Sequence, residues 1–211
     1  MHDLSPLHDA VVDGDAKQAR ARTDAALAAG TPPQDILAKA LIPAMDVVGS
    51  RFECGDYFVP ELLIAARAMK AAMEPLRPLL AAAGAKPIGK VIIGTVKGDL
   101  HDIGKNLVAA MLEGGGFEVV DLGVDVPAEK FVEAAAKGEA HLIALSALLT
   151  TTMPAMGDAI AALNKAGVRS KVKIMVGGAP ITQAFADQIG ADGFSDSASS
   201  AVHLARRLMA A

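Results

Sequence analysis

From residue 90 onwards the chain alternates short apolar runs with amphipathic segments, and no other feature restricts its fold so tightly. The apolar runs fall at 90–96, 118–122, 141–146, 172–177 and 192–194; segments with helical spacing fall at 103–114, 128–137, 153–167, 180–189 and 197–209. A run such as Val91-Ile92-Ile93-Gly94-Thr95-Val96 is apolar at successive positions, which suits a strand covered on both faces. Strand-helix repetition requires crossover connections, and these produce a parallel sheet with helices packed on it. The pattern predicts an α/β domain, a doubly wound five-stranded parallel sheet of Rossmann-like or flavodoxin-like type. Ligands of such sheets bind at the carboxyl ends of the strands.

The first 80 residues keep a different period. Ala-rich segments with helical spacing run from Leu7 to Ala29, Pro33 to Val48 and Pro60 to Leu80, separated by Gly30-Thr31-Pro32 and by Gly49 to Val59. Pro32 and Pro33 suit a helix entrance, and Gly30 suits a helix exit. These segments predict a small helical bundle over residues 1–86, with the α/β domain over 87–211 and the boundary near residue 86. Hydrophobic residues make up 52% of the chain, yet it has one Tyr, six Phe and no Trp. The core must therefore be built from Ala, Val, Leu, Ile and Met, a composition that lets helices approach closely.

Charge and cysteine content exclude several functions. A net charge of -4 without a dense Lys/Arg cluster offers no field for a nucleic-acid backbone, so nucleic acid is not an expected partner. The single cysteine, Cys54, cannot form an internal disulfide or a Cys-rich metal site, which fits a reducing cytoplasm. The N-terminus lacks a basic region followed by an apolar core, and no apolar run approaches the ~18 residues of a membrane span. A soluble cytoplasmic protein without a membrane partner is expected.

Chemistry-bearing residues collect where the β-α pattern puts strand ends. Gly98-Asp99-Leu100-His101-Asp102-Ile103-Gly104 follows the first apolar run, so His101 falls on a strand-to-helix loop at the carboxyl edge. Asp99 is close enough to accept a hydrogen bond from one ring nitrogen, fixing the tautomer and making the other nitrogen a better donor. Taken alone, the pair reads either as a metal ligand with its carboxylate or as a solvated surface pair. The third run leads into Ser146-Ala147-Leu148-Leu149-Thr150-Thr151-Thr152, rich in hydroxyls. The fourth leads into Gly177-Gly178-Ala179-Pro180, which reads either as a tight turn or as backbone open to a ligand.

Asp99-x-His101-x-x-Gly104, Ser146-x-Leu148 and Gly177-Gly178, in this order and spacing, resemble the signature of the cobalamin-binding domain shared by corrinoid methyltransferases and some mutases. Val96 to Asn106 and Asp121-Leu122-Gly123-Val124 extend the likeness. The resemblance implies that His101 is the lower axial ligand of cobalt, with Asp99 and Thr152 extending its hydrogen-bond relay; the family's cobalamin-dependent methionine synthase has a serine at the position of Thr152. It implies that the corrinoid's nucleotide tail enters a slot beside Ser146, Leu148, Gly177 and Gly178. Gly98, Asp102, Ile103, Gly104 and Thr150 complete the implied cofactor contacts.

The helical part resembles the cap over the corrinoid in methyltransferases, through Met45 to Gly49, Phe52 to Glu61 and Ala65 to Met69. By matching positions, the resemblance puts Phe52, Val59 and Leu62 over the methyl-bearing face. It covers the chain from about Leu7 to Leu208 and is nearest to the free-standing corrinoid proteins of methylamine, methanol and methoxyarene methyltransferase systems. The implied function is a methyl carrier, not catalytic alone, with cobalamin or a related corrinoid as cofactor in its methylcobalamin form. It would take a methyl group on Co(I) from a substrate:corrinoid methyltransferase. As methyl-Co(III) it would serve a corrinoid:acceptor methyltransferase acting on a thiol or a tetrahydrofolate-type acceptor, with a reductive activation protein as third partner. A cobalamin-dependent sensor module is the alternative; a mutase small subunit would lack the Phe52 to Met69 cap.

Overall fold

In the computed structural model, which describes residues 3–84, 87–138 and 140–210, the first helical stretch is cut in two at Gly14. Helix α1 spans Ser5–Val12 and α2 spans Ala16–Ala28, so the expected single segment from Leu7 to Ala29 is a helical pair. Gly14 has φ +75°, and a β-carbon there would overlap the side chain of Ile64. Only glycine satisfies both demands. Asp15 then restarts the helix, its carboxylate accepting the Gln18 amide at 2.9 Å.

Helix α3 (Pro33–Ile36) runs through a π-helical turn at Leu37–Leu41 into α4 (Ile42–Glu53). Pro43 has no amide to continue the α-helical ladder, and the turn before it widens so that the Ile42 amide bonds the Leu37 carbonyl. Helix α5 (Val59–Ala82) packs along α2. Its start is fixed by the Glu61 carboxylate, which accepts the Phe58 amide at 2.9 Å. Leu7, Val11, Ile36, Leu41, Val48, Leu62 and Leu76 are buried among Ala19, Ala26, Ala44, Ala65, Ala68 and Ala72, the small-residue core that the composition requires.

The chain divides into two compact units, Met1–Pro87 with Gly114–Gly116, and Ile88–Glu113 with Phe117–Ala211. The expected boundary at residue 86 lies outside the described residues.

The second unit is a five-stranded sheet with order β2-β1-β3-β4-β5 and every pairing parallel. Its strands are β1 Lys90–Thr95, β2 Glu118–Asp121, β3 Leu142–Ser146, β4 Lys173–Gly177 and β5 Gly193–Ser195. The intervening helices are α6 Ile103–Gly114, α7 Ala128–Ala136, α8 Pro154–Lys165, α9 Gln183–Ile189 and α10 Ala198–Ala210. Helix α9 starts later than the expected residue 180 because the Thr182 hydroxyl caps it, accepting the Phe185 amide at 3.2 Å. Val91 to Thr95 in β1 and Leu142 to Leu145 in β3 are buried, as the continuous apolar runs require. Phe131, Ile143, Met156, Leu163 and Ile174 are enclosed in the core, each contributing about 1.5–3 kcal/mol by leaving water. Chain order reverses between β1 and β3. The crevice at their carboxyl ends is the switch point where such sheets take ligands.

Candidate functional site

Strand β1 ends at Thr95, whose buried hydroxyl donates to the His101 carbonyl at 2.8 Å. The chain turns at Gly98, in the left-handed region at φ +85°, and the Gly98 amide donates to Asp125 Oδ1 at 2.7 Å. Asp125 is itself left-handed at φ +51°, and its amide donates to the Asp99 carbonyl at 2.9 Å. The stretch after β2 therefore braces the loop after β1.

Asp99 is buried at the centre of this loop. Its Oδ1 accepts the His101 amide at 3.0 Å and lies 2.7 Å from His101 Nδ1. Its Oδ2 accepts from the Leu148 amide at 2.7 Å, the Leu149 amide at 3.3 Å and the Thr152 hydroxyl at 2.7 Å. Burial by itself pushes this carboxyl up. The hydrogen bonds from Thr152, the Leu148 amide, and the amide and ring of His101 outweigh it, holding Asp99 well below the usual carboxylate range. Asp99 is an anion at neutral pH, so the ring proton facing it sits on Nδ1. In the neutral tautomer that this hydrogen bond selects, the lone pair is on Nε2, on a side chain 49% exposed.

The register aligns Thr95 with Ser146, Ser146 with Gly177 and Gly177 with Ser195, one row across the carboxyl edge. Ser146 is half-buried there, Leu148 and Thr150 are exposed, and Thr152 alone of the three threonines turns inward. The next loop asks for glycine on internal grounds. Gly178 has φ +135°, and a β-carbon would overlap the Ala147 carbonyl oxygen. The space of its missing side chain is filled by the chain's own backbone, so glycine is required there on internal grounds. Gly104 is the opposite case, with nothing within 4 Å of where its β-carbon would be. Around it the rim is apolar, since Leu100 is 71% and Ile103 78% exposed. Asp102, just before α6, accepts the Asn106 side-chain amide at 3.0 Å.

In the helical unit, the three residues assigned by resemblance to one surface separate. Leu62 has no accessible surface and belongs to the core, Phe52 is half-buried, and Val59 is exposed. Helical spacing explains Leu62, which is in line with Ala65 and Met69 on the buried face of α5. Phe58, 66% exposed, Leu63 and Ile64 join Val59 as exposed apolar side chains at the start of α5. Spacing gives no sign of Phe58, Thr95, Asp125 or the ion pair between Lys105 and Asp121, because each acts through tertiary placement.

A flavodoxin-like sheet with an Asp-backed imidazole at its switch point is the architecture of a B12-binding domain, and residues 89–203 match the family model described as B12 binding domain. Residues 4–77 match a second model of the same description. Within that class the chain belongs to the corrinoid protein family. It is 45% identical over 208 residues to trimethylamine corrinoid protein 1 of Methanosarcina acetivorans, covering 98% of this chain and 96% of that one. It is 47% identical over 181 residues to dimethylamine corrinoid protein 3 of the same organism, covering 86% and 85%. Among solved structures, the methanol:cobalamin methyltransferase complex MtaBC of Methanosarcina barkeri matches with TM-score 0.87 and 33% identity, covering 98% of this chain and 79% of that one. No helix among the described residues is long and apolar enough to cross a membrane.

Proposed function

We propose that this chain binds cobalamin or a related corrinoid at the carboxyl ends of β1, β3 and β4, with His101 Nε2 as the lower ligand to cobalt, and acts as a methyl carrier. The observation that carries this is the Asp99–His101 pair, an imidazole whose tautomer is fixed by a buried anion so that Nε2 keeps its lone pair. Among the described residues no group of three or more His, Cys, Asp or Glu is placed to hold a metal ion. A single imidazole suits an ion that a macrocycle already holds, and the apolar Leu100, Ile103 and Leu148 with the open Gly104 suit a flat, greasy ligand. The residues present fit the group.

When bound, a corrinoid supplies a cobalt centre that accepts and releases methyl groups. The chain's part is to hold that centre, tune it and screen it. Asp99 accepts the Nδ1 proton in a hydrogen bond, and Thr152, donating to its other oxygen, helps keep it an anion. Of the apolar screen assigned to Phe52, Val59 and Leu62, Phe52 and Val59 have accessible surface, and the exposed Phe58 and Leu63 would extend it. The names of the relatives favour a methylated amine as methyl source, delivered by a substrate-specific methyltransferase. A second methyltransferase acting on a thiol or tetrahydrofolate-type acceptor and a reductive activation protein complete the proposed set, in the cytoplasm. None of the relatives named above is a sensor.

The test is reconstitution with hydroxocobalamin, reduction, and supply of mono-, di- or trimethylamine or methanol, each with its methyltransferase, while the visible spectrum is followed. A donor-dependent spectral change with one amine and its methyltransferase is expected. No change with any pair would overturn the carrier role.

A further inference from the structure

Lys105 occupies the first turn of α6 with a side chain only 2% exposed. The placement is unfavourable twice over. Burying an ammonium removes its hydration, and the start of a helix repels a cation through the unpaired amides there. One carboxylate, Asp121 at the end of β2, pairs with it, and that carboxylate also accepts the Gly123 amide at 2.8 Å. The remaining interaction runs the other way. Lys105 Nζ donates to Asn106 Oδ1 at 2.7 Å, and Asn106 Nδ2 donates to Asp102 Oδ2 at 3.0 Å, while the Asn106 amide holds the Asp102 carbonyl at 2.7 Å. A polar chain thus runs from the end of β2 through buried Lys105 to the residue bonded to His101.

His101 is held from its other side by Asp99, on its amide and ring, and by Thr95, on its carbonyl. Those contacts fix where the loop begins. Beyond His101 the chain is held at Asp102, whose carbonyl accepts the Asn106 backbone amide and whose carboxylate accepts the Asn106 side-chain amide, itself held by Lys105.

We propose that Lys105 is a positioning residue for His101, fastening the outgoing side of the histidine loop to the end of β2 through Asn106 and Asp102. This rests on His101 being the cobalt ligand. Without Lys105 the loop keeps its Asp99 and Thr95 anchors but loses the side-chain brace on Asp102, and the imidazole is held less rigidly. Outer partners of this kind change metal affinity by about 10–100-fold when removed.

The test uses the full chain reconstituted with hydroxocobalamin and reduced by one electron with titanium(III) citrate. Lys105→Met is combined with Asp121→Asn so that no unpaired charge is left inside. Asn106→Ala is the second variant, since Asn106 is exposed and its loss leaves the ion pair intact. Binding affinity, melting temperature and the nitrogen splitting of the paramagnetic resonance signal are read for each. Expected is a roughly 10-fold loss of cobalamin affinity in the double variant, a smaller loss in Asn106→Ala, and in both a reduced fraction with nitrogen splitting. Wild-type splitting and affinity in Asn106→Ala would overturn the proposal, whatever the double variant does to folding. A lower melting temperature with unchanged splitting would likewise leave Lys105 a purely structural residue and overturn it. A wild-type protein that binds cobalamin without nitrogen splitting would instead overturn the His101 assignment, and the proposal with it.

Discussion

Asp99 Oδ1 lies 2.7 Å from His101 Nδ1 and accepts the amide of the same residue at 3.0 Å, so one buried oxygen orients both ring and backbone. Replacing Asp99 by Asn keeps the shape and removes the charge. The amide can donate to Nδ1, which would move the ring proton to Nε2 and take away its lone pair. We expect Asp99→Asn to fold with a loss of about 1–3 kcal/mol and to bind hydroxocobalamin without an axial nitrogen signal. Unchanged nitrogen splitting would refute the tautomer argument.

The same carboxylate predicts a pH dependence. Its folded pKa is depressed below the unfolded value of ~3.9, so the folded state binds fewer protons in that range and stability rises with pH. The contribution is complete above about pH 5 and is lost as pH falls below about 4 towards the folded value. Denaturation by urea at a series of pH values should show the gap between wild type and Asp99→Asn shrinking as the solution is acidified. A constant gap would mean that the charge of Asp99 does not contribute.

Thr152 donates to Asp99 Oδ2 at 2.7 Å from a buried position. Thr152→Val keeps the volume and deletes a hydrogen bond to a charge, at a cost of about 1.5–3 kcal/mol. Thr152→Ser restores the hydroxyl and should recover most of it. Equal melting temperatures for the Val and Ser variants would show that the hydroxyl contributes nothing.

Two glycines that look alike in the sequence should behave in opposite ways. Gly178→Ala meets the Ala147 carbonyl at a backbone angle reserved for glycine, and should cost ~3 kcal/mol or more, or prevent folding. Gly104→Ala enters open space on a helix and should be neutral or up to ~1 kcal/mol stabilising in the ligand-free protein, while weakening cobalamin binding. Tight binding by Gly104→Ala would remove Gly104 from the contact surface.

Phe58 and Leu62 make a similar pair. Leu62→Ala removes a core side chain and should lose about 2–5 kcal/mol. Phe58→Ala truncates an exposed one and should change stability by less than ~0.5 kcal/mol, while the loaded, methylated protein loses its methyl group faster in light. Equal photolysis rates would exclude Phe58 from the screen.

These contrasts mark where the sequence was legible. Each strand of the sheet falls within one residue of its apolar run, because a strand buried on both faces has no freedom to hide its pattern. His101 and Asp99 are legible because two residues of separation put them in contact by local geometry. Gly14 hid a break, since glycine inside an Ala-rich segment carries no mark of the Ile64 packed over it. Leu62, put over the methyl-bearing face by resemblance, has no accessible surface and shares the buried face of α5 with Ala65 and Met69, a spacing the sequence displays. Asp125 and Lys105 are illegible for a plainer reason, that their partners lie one or more secondary-structure elements away.

The separations within the Asp99 network set an order of events for the chain itself. Leu148 and Thr152 lie 49 and 53 residues beyond Asp99. A growing chain on the ribosome thus carries His101 long before it carries the donors that hold Asp99 in place. Until β3 has paired with β1, the imidazole has a partner but no fixed direction, and the free chain offers nothing better than an ordinary histidine. The fixed direction of the imidazole is therefore acquired only together with the central strand pair.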